Sequence, residues 1–226
     1  MIILNYSASV WIRSRRGFMM EVKMKTIVYI DGQNFLYKVA DILIEAQLVQ
    51  NKQAVSSIDI RWLMSQIIDG KFDIRFYGIK KISRQKNMEP ALHRKSLIFS
   101  DNLRKLRNCL TKQEIQYVDV GMLKIRDTDI CKKCGNQELH FQEKGVDVGL
   151  AIDLVKDTLL RQVDRIVLVS SDTDLMPAIL TAKDAEKEIV YVGFEDRLTK
   201  ALASQANSVQ ILRKKEVIEA WNRMIK

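Results

Sequence analysis

The chain has 226 residues, 47% hydrophobic and 29% charged, with 2 Pro, 9 Gly and 3 Cys. This is the composition of a globular protein with a sizeable core; collagen-like, repetitive and mostly disordered chains are excluded, and every apolar run is broken by charge well short of the roughly 18 residues of a membrane span. Lys and Arg (37) exceed Asp and Glu (28) by 9, which points to a polyanionic partner, since neutralised phosphates release counterions.

Residues 1–24 read as an extension expected to be poorly ordered, because termini are seldom tied down. Arg13, Arg15 and Arg16 follow its apolar start, the reverse of a secretory signal, so an Arg-rich organelle presequence is the alternative to a loose tail. From Thr26 the pattern becomes regular. Thr26–Ile30 is a short β-branched run of the kind buried on both sheet faces, and it ends at Asp31-Gly32-Gln33-Asn34. A helix with Phe35, Leu36, Val39, Ile42, Leu43 and Ala46 on one side follows, then a second over 57–69 capped by Ser56 or Ser57. Phe72–Ile79 is the next predicted strand, 89–113 a long basic helix striped by Leu92, Leu97, Leu103, Leu106 and Leu110, and Glu114–Val120 a third strand. Residues 122–143 are expected to form an inserted hairpin with Cys131 and Cys134 at its tip. A helix over 146–161, strand Arg165–Val169, and a helix opening after Asp174 with Pro177 near its first turn come next. Ile189–Val192, a helix near 197–206, strand Val209–Leu212 and a last helix over 214–226 complete the series. Short strands alternating with helices predict a three-layer α/β/α domain over 25–213 around a mainly parallel sheet.

In such a sheet the working edge lies at the carboxyl ends of the strands. Asp31 ends the first strand, Asp172 and Asp174 follow a later one, and Asp147 opens a helix with Asp153 further along. Each acid taken singly is as well read as a cap or turn residue. Together, four Asp without His suit Mg²⁺ or Mn²⁺ rather than zinc, because hard cations take oxygen ligands. Asn34 would add a neutral hydrogen bond to a bound water or phosphate.

Three segments, Ile30-Asp31-Gly32-Gln33-Asn34, Lys144-Gly145-Val146-Asp147-Val148 with Asp153, and Ser170-Ser171-Asp172-Thr173-Asp174-Leu175, resemble the NYN domain family of PIN-like ribonucleases, of the type described as LabA-like or DUF88. The resemblance spans residues 25–213 and leaves out the N-terminus. It implies a PIN-like sheet with an acidic catalytic pocket of Asp31, Asp147, Asp172 and Asp174, and single-stranded RNA as substrate. A non-hydrolytic RNA-binding or regulatory module is the rival expectation. No Walker loop, Gly-x-Ser-x-Gly elbow or dinucleotide fingerprint is present.

Residues 80–107 hold nine basic side chains against Glu89 and Asp101. Lys80, Lys81, Arg84, Arg94, Lys95, Arg104 and Lys105 are therefore the candidate phosphate contacts, with a solvated helix face as the alternative. Cys131-x-x-Cys134 looks like half of a zinc knuckle. A structural zinc takes four ligands, so His140 would be the third, and Cys109, His93 or the Cys pair of a second chain in a homodimer would complete the set. A reduced hairpin tip is the other reading. Cys usage of this kind fits a reducing compartment, and a cytoplasmic location is expected.

Overall fold

The computed structural model describes residues 9–13, 19–52, 55–83, 90–127 and 139–225. Two short strands, β1 (Ser9–Arg13) and β2 (Met19–Lys23), pair antiparallel as a separate ribbon. The rest is organised by a seven-stranded sheet of β3 (Thr26–Asp31), β4 (Phe72–Ser83), β5 (Gln116–Asp127), β6 (Leu139–Lys144), β7 (Arg165–Val169), β8 (Glu188–Phe194) and β9 (Ser208–Leu212). Its order is β6-β5-β4-β3-β7-β8-β9, parallel throughout except for the edge strand β6.

Helices α1 (Gly32–Glu45), α2 (Ile60–Ser65), α3 (Pro90–Lys112), α4 (Val146–Leu159), α5 (Met176–Asp184), α6 (Lys200–Gln205) and α7 (Lys214–Ile225) connect and cover the strands. Alternate residues of β3 face opposite layers, as the period of two demands. Val28 and Ile30 pack in one core with α1, α2, α7 and Leu106 and Leu110 of α3. Ile27 and Tyr29 pack in the other with α4, α5 and α6. The protein is thus a three-layer α/β/α domain around a mainly parallel sheet.

Several predicted boundaries move. The second helix is only Ile60–Ser65, because the Asp59 carboxylate accepts from the Trp62 N–H and starts it, rather than Ser56 or Ser57. Strand β5 continues through Asp127 and pairs antiparallel with β6, Met122 opposite Lys144 and Asp127 opposite Leu139. Leu97, expected on the apolar stripe of α3, is 48% exposed, while Leu110 is fully buried. Residues 128–138, with Cys131 and Cys134, and the side chain of His140 lie outside the described residues, and the expected zinc knuckle falls there.

The connection after β3 leads to β4 on one side, and that after β7 leads to β8 on the other. The β3–β7 junction is therefore the topological switch point, where loops diverge and leave a crevice at the carboxyl edge.

Candidate active site

Each acid reaches this crevice through a local rule of chain geometry. Asp31 is the N-cap of α1: its carboxylate accepts from the Asn34 N–H at 3.2 Å. Gly32 is required next, since a Cβ there would run into the Phe76 ring and the Tyr77 carbonyl of β4. Asp172 extends from β7 and caps the short 3₁₀ turn Thr173–Leu175, accepting from the Asp174 N–H at 2.9 Å. Gly145, with φ of 82°, makes the sharp bend from β6 into α4 that a side chain would strain, and Asp147 then falls in the first turn of that helix.

Asp147, Asp172 and Asp174 each bring one carboxylate oxygen within 4.8 Å of the others. Asp147 and Asp172 are half-buried and Asp174 is exposed. Among the described residues no Lys or Arg forms an ion pair with any of the three. Asp31 is outside this group and deeper, 8% exposed, and its second oxygen accepts from the Ser170 hydroxyl at 3.0 Å. Burial pushes the Asp31 carboxyl above its ordinary value of 3.8, and the charges of Asp172 and Asp147 push the same way; the bonds from Asn34 and Ser170 oppose them.

A hydrogen-bond web fixes the floor. The Ser170 hydroxyl also accepts from the Asp172 N–H at 3.0 Å, tying Asp31 to Asp172 through one side chain. The Asn34 amide donates to the Ser171 hydroxyl at 2.8 Å, and its oxygen accepts from the Ser171 N–H at 3.3 Å. Asn34 is thereby committed to joining α1 to the loop after β7. Asp31, Asn34, Asp147 and Asp172, with Gln33, Tyr37 and Lys144, line an open cleft of about 520 Å³.

None of the described basic residues chosen from sequence lines this cleft. Lys80, Arg94, Lys95, Arg104 and Lys105 are exposed, but Arg104 and Lys105 both pair with Asp101, at 2.6 and 2.8 Å. Arg84 is outside the described residues, as is the side chain of Lys81. Sequence reading missed Ser170 and Ser171 as supports of the acids, although both stand inside the motif. It also missed Lys38, four residues after Asn34 and so on the same helix face.

A parallel α/β sheet with clustered carboxylates at its switch point is the arrangement of a PIN-like nuclease domain. The NYN domain model matches residues 25–213, and the chain belongs to that family, within the PIN-like nuclease superfamily. No curated protein matches the chain in sequence. Among solved structures, it is similar to a protein of unknown function, VPA0982, from Vibrio parahaemolyticus RIMD 2210633, at 18% identity and a TM-score of 0.49, covering 84% of this chain and 93% of that one. Among the described residues no helix is long and apolar enough to cross a membrane.

Proposed function

We propose that the chain is a metal-dependent ribonuclease that hydrolyses RNA phosphodiester bonds at the Asp147–Asp172–Asp174 group. The observation that carries this reading is three carboxylates converging with, among the described residues, no ion pair to a Lys or Arg. Such a group repels itself and destabilises the empty protein unless a hard divalent ion neutralises it. The donor set fits Mg²⁺ or Mn²⁺: all oxygen, open to the cleft, with room for water and phosphate. A bound ion would supply a lowered pKa for an attacking water and charge stabilisation for the leaving 3′ oxygen. The chain's own residues hold the geometry. Asp31 and Ser170 fix Asp172 from beneath, Asn34 and Ser171 lock the loop that carries it, and Gly145 aims Asp147 into the cleft. Asp31 itself is proposed as a fourth acid, acting from the second layer through Ser170 and its charge.

The test is incubation of the purified protein with labelled single-stranded RNA in Mn²⁺, Mg²⁺ or EDTA. Cleavage with either metal and none in EDTA is expected, and it should vanish in Asp172→Asn. RNA binding without cleavage under every condition would return the protein to the class of RNA-binding regulatory modules.

A further inference from the structure

The acids define where a phosphodiester would be cut; they do not attract one. A polyanion approaching three carboxylates needs cations close by; on α3, Arg104 and Lys105 are already shared with Asp101, and neither Arg94 nor Lys95 lines the cleft. One cleft opens at the carboxyl edge around the switch point, with a tight niche beside it. The cleft over the acids contains one basic residue, Lys144. The adjoining niche, too tight to admit a water, shares Asn34 with the cleft, includes Ser170 and Phe194, and has Lys38 on its wall.

Lys38 is held for this position. It projects from the α1 face that carries Asn34, and its ammonium stands 5.7 Å from the centre of the Phe194 ring at the end of β8. It forms no ion pair among the described residues, whereas its neighbour Arg197 is bound to Asp41 at 2.5 Å. Burial and the Arg197 charge both disfavour its protonated form, with Asp31 and Asp41 acting the other way. It is a partly desolvated cation with no ion pair among the described residues, beside an acidic pocket. Lys144 is the counterpart across the cleft: exposed, at the last position of β6, and likewise without an ion pair among the described residues. β8 and β6 lie on opposite sides of β3 in the sheet order, so the two lysines flank the acids.

We propose that Lys38 and Lys144 each bind one of the backbone phosphates on either side of the scissile one, so that a single RNA strand crosses the carboxyl edge from the β8 side to the β6 side. This inference rests on the reading that RNA is the substrate, and it adds the path of the strand and the residues that hold it. Opposed cations with acids between them grip consecutive charges along a strand, and they read the backbone rather than the bases.

The experiment measures binding of short single-stranded RNA to the full chain in EDTA, where cleavage is suspended, across a salt series. Lys38→Met keeps the stem against Phe194 and removes the charge, and Lys144→Ala is its partner. Each should weaken affinity about fivefold at 0.1 M salt and flatten the salt slope by about 0.7, the value for one phosphate contact on a single strand. Lys38→Arg should restore both, and Lys71→Ala, at the opposite edge of the sheet, should change neither. Neutralising single phosphates as methylphosphonates then locates the contacts: one position should be silent in Lys38→Met and a different one silent in Lys144→Ala. Wild-type slopes in both variants, or losses that add at every phosphate position, would overturn the inference while leaving the nuclease reading intact. A wild-type chain that binds no RNA would overturn both.

Discussion

Helix α4 carries acids at both ends, and their surroundings are opposite. At its last turn Asp157 is 5% exposed, accepts a hydrogen bond from the Tyr29 hydroxyl at 2.6 Å and pairs with the Arg75 guanidinium. One turn earlier Asp153 accepts from the Tyr77 hydroxyl at 3.3 Å. Burial, reinforced by Asp157, holds the Tyr29 hydroxyl far above the ordinary tyrosine range, so it stays a donor. At the first turn Asp147 converges with other carboxylates instead. A buried acid given a cation and a donor fastens the helix to the sheet. Acids gathered without an ion pair repel one another, and on the proposed reading the fold holds them together for a ligand from outside the chain.

The sharpest way to break this contrast is at Asp172. Removal of one of three converging charges should lower cleavage at least about a hundredfold, the loss of several kcal/mol of charge stabilisation. The thermal midpoint in EDTA should stay level or rise, because repulsion is relieved. A midpoint that falls sharply would show the group to be a structural element like Asp157.

Asp157→Asn should do the reverse. Stranding the Arg75 charge against the core is expected to cost about 3 kcal/mol in urea denaturation, while cleavage per folded molecule stays near wild type. Replacing both partners, Asp157→Leu with Arg75→Met, should recover most of the loss, and failure to do so would mean that the pair fixes more than its own charges.

Asp31 gives a pH test between these extremes. Its folded pKa lies above the ordinary 3.8, so the folded state binds the proton more tightly than the unfolded one. Its contribution to stability therefore declines as pH rises from about 4 through the raised folded value and is level beyond it. Asp31→Asn, whose amide can still accept from the Asn34 N–H and can donate to Ser170, should lack that decline. In EDTA its stability advantage over wild type should open across the window and then hold constant. Parallel curves for the two proteins would remove the burial argument.

The smallest effect is expected on α3. Charge reversal at Arg94, Lys95, Arg104 and Lys105 should flatten the salt dependence of RNA binding by about 0.7 for each phosphate no longer neutralised. Arg94 and Lys95 should account for most of it, since Asp101 already draws off the other two.

The layered architecture was readable because β3, β7 and β8 are continuous apolar runs and the helices between them keep a clear face. Asp31, Asp147 and Asp172 were readable for the same reason: each follows a pattern break where strand gives way to helix. What escaped was set by contacts distant in sequence. Asp59 takes over as the cap of α2 because the Arg223 side chain reaches it at 2.9 Å and the Asp59 N–H bonds the Ala220 carbonyl at 3.1 Å. The pairing of Arg104 and Lys105 with Asp101 is the exception: three and four residues apart on one helix, it was open to the sequence and simply not drawn. Lys38 looked like any helix-surface lysine until β8 placed Phe194 beneath it.

The family match stops at residue 213, yet α7 lies beyond it and closes one of the two cores. Val217, Ala220 and Trp221 are buried there against the sheet and α2, and Arg223 stacks 4.9 Å over the Trp62 ring. The stretch of sequence shared by descent is therefore shorter than the stretch that must fold together. A protein trimmed to the shared boundary would present an open apolar trough along α1 and α2, the sort of surface through which truncated domains clump during expression, and a negative assay on such a fragment would say nothing about the full chain.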